Sequence, residues 1–341
     1  MALLAGLFVG NVFPGFAESL REATRPEWYI KTAIVILGAL VGVKAAGALG
    51  LASAIMFRGL CAIVEAYLIY WAVVYWLARK YFRFSKEWAA PLASGISICG
   101  VSAAIATGGA IRARPIIPIM VSSLVVVFAV VELIFLPFVA QTFLYKEPMV
   151  AGAWMGLAVK TDGAAVASGQ IVDSLIRAKA LAEQGIKYEP DWIMNTATTV
   201  KIFIDIFIGV WAFILAWIWT AKIDRKPGET IGAGEIWRRF PKFVIGSVLT
   251  FVIMLVLLLQ NPALKDAAKT ATDEANVFRS FFFALTFFSI GLVSNFKKLW
   301  EEGIGRLAVV YIIALFGFII WVGLIISWLF FHGVTPPVVA A

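Results

Sequence analysis

Apolar runs of bilayer length follow one another along the whole chain, separated by short stretches of charge, Pro and Gly. Ten runs fall at 2–17, 30–50, 57–79, 87–110, 114–141, 148–168, 196–221, 241–260, 276–296 and 304–331. A helix needs ~20 apolar residues to cross the ~30 Å hydrocarbon layer, so each run predicts a membrane span. The first run is short, and the sixth carries Lys160 and Asp162, which lipid would not tolerate cheaply. Two segments read as surface connectors instead. Residues 173–190 place Leu175, Ile176, Ala180 and Leu181 on one side of an amphipathic helix, and 261–274 open on Asn-Pro and carry five charges.

Composition supports a membrane class. The chain is 62% hydrophobic and 15% charged, against ~25% charged for soluble domains. Thirteen Trp and eight Tyr suit aromatic belts at the two bilayer surfaces. The net charge of +8 lies between apolar runs and forms no basic stripe or tail, which excludes a nucleic-acid partner. One side of the bilayer collects most basic residues, among them Arg79, Lys80, Arg83, Lys86, Arg238, Arg239, Lys297 and Lys298. That side is expected to be cytoplasmic, with both ends of the sequence on the other side. The start, Met1-Ala2-Leu3-Leu4, lacks the basic n-region of a signal peptide. A longer gene product with an additional upstream span is expected.

Several chemistries drop out. His332 is the only histidine, which removes HExxH metal sites and Ser-His-Asp triads. Cys61 and Cys99 lie in separate apolar runs with no CxxC spacing. The Gly-rich 228–235 (GETIGAGE) has no preceding strand and no GK[ST] ending, so it predicts no nucleotide site. No cofactor and no metal are expected.

Two runs carry small polar residues around glycine. The fourth reads SGISICGVSAAIATGG, with Gly95, Gly100, Gly108 and Gly109 among Ser97, Cys99 and Ser102; the ninth reads FFSIGLVSNF, with Gly291, Ser294 and Asn295. Such segments let a helix unwind, and unwound backbone at membrane depth survives only where it lines a cavity or lies within protein. Close helix packing is the alternative reading, as for Gly6 with Gly10 and Gly38 with Gly42. The fourth and ninth of ten are equivalent positions in two five-span halves, and an odd number of spans inverts the second half. The predicted fold is therefore all-α and integral to the membrane: about ten transmembrane helices as two inverted five-helix repeats, 1–145 and 146–341, with two broken, crossing helices.

Charges within the runs are the other functional signal. These are Lys160 and Asp162 in the sixth, Lys201 and Asp205 on one face of the seventh, Glu65 in the third, Glu132 in the fifth and Lys44 late in the second. Each has a structural alternative: a snorkelling Lys44, a Lys201–Asp205 ion pair, or protonated, hydrogen-bonded glutamates. The functional expectation has Ser97, Cys99, Gly100, Ser102, Lys160, Asp162, Gly291, Ser294 and Asn295 binding substrate. Asp162, Lys201, Asp205, Glu65 and Glu132 would serve coupling.

The stretch Ser97-Ile98-Cys99-Gly100-Val101-Ser102-Ala103-Ala104 resembles the bacterial YeiH-type sulfate-exporter family. LLAGLFVGNVFP near the start, AIVILGALV and FFSIGLVSNFKKLWEEG extend the likeness over nearly the whole chain. The resemblance implies the fold of bile-acid symporters and sodium/proton antiporters. A mobile core of 57–141 and 241–331 would then move against a panel of 2–50 and 148–221. It also implies a bacterial inner-membrane, multi-pass location. The chain departs from the family pattern at Lys160 and Thr161, where a His and an acid are usual, at Ile204 and Asp205, and at Gly108 and Gly109.

The expectation is a secondary active transporter, by its family name an exporter. It would carry a small anion such as a sulfur oxyanion, sulfonate or carboxylate by alternating access, coupled to H+ or Na+. Expected partners are that anion, the coupling ion and the lipid bilayer, with a homodimer allowed. Rival readings are a cation/proton antiporter of the same fold, a channel or sensor, and an intramembrane aspartyl protease built on Asp162 and Asp205. No enzyme activity is expected.

Overall fold

The computed structural model describes residues 2–20, 23–24, 26–48, 58–190, 192–223, 243–293 and 304–338. They are helical almost throughout. Among them there is no strand, only an isolated antiparallel bridge between Tyr188 and Val338. In chain order the helices are α1 Ala2–Val12, α2 Pro14–Ser19, α3 Pro26–Ala48, α4 Cys61–Lys80, α5 Lys86–Ala110, α6 Ile116–Phe143, α7 Pro148–Ala158 and α8 Asp162–Gln184. Then come α9 Trp192–Ile223, α10 Phe243–Gln260, α11 Lys265–Val293 and α12 Ile304–Phe331.

Among the described residues, α4, α5, α6, α9 and α12 are each long and apolar enough to cross a membrane. A sixth span is added if Ile245–Gln260 and Pro262–Phe282, bent by 117° at their junction, count as one. The other runs give shorter or interrupted helices. The run 148–168 is two helices, α7 and α8, joined by an extended segment. Residues 173–190 do not form a separate surface helix: α8 runs unbroken from Asp162 to Gln184 and stops at Gly185, whose φ of 68° is left-handed. Residues 261–274 open as a turn and then form the start of α11. Asn261 before a proline is held off the helical region at ψ 75°, while the Ala, Lys and Asp that follow are helix formers or suit a helix start.

The chain divides into two compact units. The first comprises Met1–Ser53, Ile105–Ser123 and Gly209–Gly305. Here α3 packs on α10 and α11, and α1 packs on α11. The small-residue pairs of the sequence serve close packing in this unit. A side chain at Gly6 or Gly10 would run into the α11 main chain at Phe288 or Leu292, and one at Gly38 into Ser247 of α10. Thr250 Oγ1 donates to Val35 O at 2.9 Å across the same contact. Gly38→Val should force α3 and α10 apart and lower stability by about 1–3 kcal/mol. Thermal unfolding in detergent measures this, and an unchanged midpoint contradicts the contact.

The second unit comprises Ala54–Ala104, Leu124–Ile208 and Arg306–Ala341. At its centre is α7, all 11 residues of which are buried. Helix α9 approaches so closely that a Cβ on Gly152 or Gly156 would come 2.5 Å from Ile193 O or Ala197 O. Trp154 Nε1 donates to Ile320 O of α12 at 2.8 Å. A helix enclosed on every side needs no polar face, which accounts for its uniformly apolar or small residues.

Candidate functional site

Helix α5 is interrupted where the sequence predicts it. Residues Gly95–Cys99 form a widened π-helical turn, and the chain then breaks at Gly100 with φ 21° and ψ −102°. A side chain at Gly100 would collide with Val125 and come 3.0 Å from Lys160 O. The break in α5 therefore lies directly against the segment joining α7 to α8. That segment is a second break: Val159 (ψ 125°) and Thr161 (ψ 145°) are extended, and Lys160 lies between them. β-branched Val and Thr favour extended backbone.

The expected partner of the α5 break, in the ninth run, is not found within the described residues. Helix α11 is regular through Gly291 to Val293, and Ser294 and Asn295 lie outside the described residues. The second interruption belongs to the sixth run instead.

Each break frees main-chain carbonyls, and each meets a lysine. Lys201 Nζ donates to Ile98 O at 2.8 Å, and Lys160 Nζ donates to Leu157 O. Both ammonium groups thus sit at the C-terminal, negative ends of half-helices. Lys160 is 0% exposed and Lys201 2%. Among the described residues neither lysine forms a direct ion pair, although Glu65 and Glu132 face Lys160 and Asp162 and Asp205 face Lys201. Lys201 and Asp205 share a helix face, as their spacing predicts, but the α5 carbonyl captures the ammonium. An ammonium has three protons, so each lysine keeps two beyond its single protein acceptor.

Acids line the other sides. Cys99 Sγ donates to Asp162 Oδ1 at 2.8 Å. Asp205 joins them, the three donor atoms lying within 4.8 Å of one another. One oxygen of Asp205 is buried without a hydrogen-bond partner. A thiol with two carboxyls could ligate a divalent transition ion, although the neighbouring charge of Lys201 opposes one.

Glu132 accepts from Lys160 N at 3.0 Å and from Tyr311 Oη at 3.5 Å. The Lys160 ammonium lies 4.6 Å from the centre of the Tyr70 ring, a cation–π contact. Ser97 and Ser102 are buried on either side of Gly100, and the Ser97 hydroxyl has no hydrogen-bond partner. Thr161 provides no side-chain cap for α8, and a Cβ on Gly163 would meet nothing within 4 Å.

Of the predicted site residues, Glu65, Ser97, Cys99, Gly100, Ser102, Glu132, Lys160, Asp162, Lys201 and Asp205 all fall in the second unit, whereas Gly291 belongs to the first. The side chain of Lys44 lies outside the described residues. Sequence reasoning missed Tyr70 and Tyr311, although a tyrosine inside an apolar run is itself a signal, because its hydroxyl must find a buried partner.

The profile of the family described as conserved hypothetical protein 698 matches residues 1–323. The chain belongs to this family. Its relatives agree. A UPF0324 membrane protein of Nitrosomonas europaea is 48% identical over 340 residues, which are 99% of this chain and 69% of that protein. An uncharacterized protein of Archaeoglobus fulgidus is 53% identical over 172 residues, 43% of this chain and 91% of its own length. A UPF0324 membrane protein of Rhodopirellula baltica is 34% identical over 309 residues, 88% of this chain and 51% of that relative. The chain thus spans about two thirds of the first of these relatives and about half of the third. No solved structure matches. With its several apolar helices, the chain is a multi-pass membrane protein.

Proposed function

We propose that this chain is a secondary transporter of a small oxyanion, working by alternating access in the bacterial inner membrane. The supporting observation is the pair of helix interruptions that meet at Gly100 and Lys160, with a buried lysine donating to a freed carbonyl at each. Unwound backbone and half-helix ends at membrane depth are the usual means by which transporters hold ions. Spare ammonium protons and the α8 N-terminus, which Thr161 does not cap, suit an anion with several acceptor oxygens, such as a sulfur oxyanion, a sulfonate or a carboxylate. Glu65 and the acid cluster of Cys99, Asp162 and Asp205 beside it offer places to hold a coupling proton. An inverted-repeat fold akin to the bile-acid symporters belongs to the same proposal, as does the absence of bond chemistry.

The test is thermal unfolding of the purified protein against sulfate, thiosulfate, bicarbonate, acetate and methanesulfonate, in wild type and in Lys160→Ala. A ligand at ~100 times its Kd stabilises by about 2.7 kcal/mol. Stabilisation by one anion class, absent in Lys160→Ala, is the expected result. The same acid cluster supports a second reading, a cation/proton antiporter. A flat response to every anion with a shift in sodium would establish that reading in place of the first.

A further inference from the structure

A second buried polar site lies between α4 and α12. Residues Val64–Tyr70 of α4 and Leu315–Ile319 of α12 are both wound as π-helical turns, a form concentrated at functional positions. The two turns are joined where Tyr70 Oη donates to Ile319 O at 2.7 Å. Glu65 is 0% exposed, and neither of its carboxyl oxygens has a hydrogen-bond partner. Across from it is Gly323, where a Cβ would come 2.7 Å from Tyr70 Oη and 3.5 Å from Glu65 Oε1. One turn further along the same face of α12, Ser327 is 0% exposed and its hydroxyl is also without a partner. A side chain at residue 323 would thus displace the Tyr70 hydroxyl and close up against the carboxyl.

A carboxylate enclosed in this way needs a counter-charge to persist as a buried anion. The titratable groups around Glu65 are Cys61 on its own helix, Tyr70, and Lys160 from the α7–α8 break. Tyr70 meets both of the others, with the Lys160 ammonium over its ring and Glu65 as its neighbour. Lys160, which Glu132 also faces, therefore has two competing uses: balancing an ionised Glu65 or holding an anion beside the α5 break. A metal cation at Glu65 would be opposed by the same ammonium.

We propose that Glu65 is the coupling-proton site and that Lys160 links it to the anion site. This rests on the transporter reading above. With an anion on Lys160, no counter-charge remains for an ionised Glu65, so Glu65 keeps its proton and both travel together. When the anion leaves, the ammonium balances the Glu65 carboxylate and the O–H proton passes to water. The balance is one protonation equilibrium, Glu65 with its proton against carboxylate plus free proton, with no other reactant.

Two measurements test the proposal on the whole chain in lipid. The first is the infrared absorption of protonated carboxyl groups across a pH titration. A titrating band present in wild type and in Glu132→Gln should be lost in Glu65→Gln and shifted in frequency in Glu65→Asp. The Asp variant decides the matter if the Gln variant fails to fold. An unaltered band in the Glu65 variants overturns the proposal. The second is pH change in weak buffer on adding sodium sulfate or sodium acetate. Wild type should take up a proton for each anion bound, and Glu65→Gln should bind with that uptake lost. Undiminished uptake in Glu65→Gln sinks the Glu65 site and leaves the anion reading standing. Absence of anion binding in wild type sinks the transporter reading, while the infrared result still decides whether Glu65 holds a proton.

Discussion

Gly100→Ala should destabilise the folded protein by about 2–4 kcal/mol. At φ 21° the backbone is in a region that L side chains rarely adopt. Space adds to the strain, because the added methyl would overlap the Val125 side chain and press against Lys160 O at 3.0 Å. Main chain cannot rotate away as a flexible side chain can, so the two broken helices would have to separate. Gly109→Ala is the matched control. It is also in α5, but a Cβ there meets nothing within 4 Å, and alanine is the better helix former by ~1 kcal/mol. Thermal unfolding of both variants should therefore move in opposite directions. Equal small effects would mean that the α5 break does not depend on glycine.

Lys201→Met should leave the protein folded but abolish its response to anions. Two energetic effects oppose each other in stability. Removing the ammonium strands Ile98 O without its 2.8 Å donor, at a cost of about 1–3 kcal/mol. It also removes a buried charge, whose desolvation disfavours the fold while Asp162 and Asp205 nearby favour it. The net stability change should be small, so a lost anion response would be a loss of function rather than of structure. Lys201→Arg is informative as well. A planar guanidinium fork cannot place a single donor on Ile98 O as a compact ammonium does, so anion-induced stabilisation should fall substantially there too. Full response in Lys201→Met would exclude this lysine from the site.

The apolar runs made the helical membrane class legible, and Gly100 among small polar residues marked the α5 break. The α7–α8 break was harder to read because Val159 and Thr161 carry neither Gly nor Pro. Only the misplaced charges Lys160 and Asp162 signalled it. Glycine pairs were ambiguous for a physical reason: a residue without a side chain permits unwinding and close approach equally. Gly6, Gly10 and Gly38 pack against neighbouring backbone, whereas Gly100 bends away from helix. What decides is the residue across the interface, and local sequence does not contain it. The Lys201–Asp205 spacing suggested an ion pair for the same reason. A carbonyl 103 positions away in sequence outcompeted the carboxylate four residues on. Span number is hard to read from apolar runs, since a run such as 148–168 can fold as two helices joined by an extended segment.

Anion flux in proteoliposomes tests the central claim most directly. Purified wild type and Lys201→Met would be compared for uptake of labelled sulfate, acetate and bicarbonate, with and without a pH gradient. The account predicts saturable flux of one anion class in wild type, driven by the pH gradient and lost in Lys201→Met while that variant remains folded. Flux that survives loss of the lysine, or conductance far above carrier turnover, would contradict it.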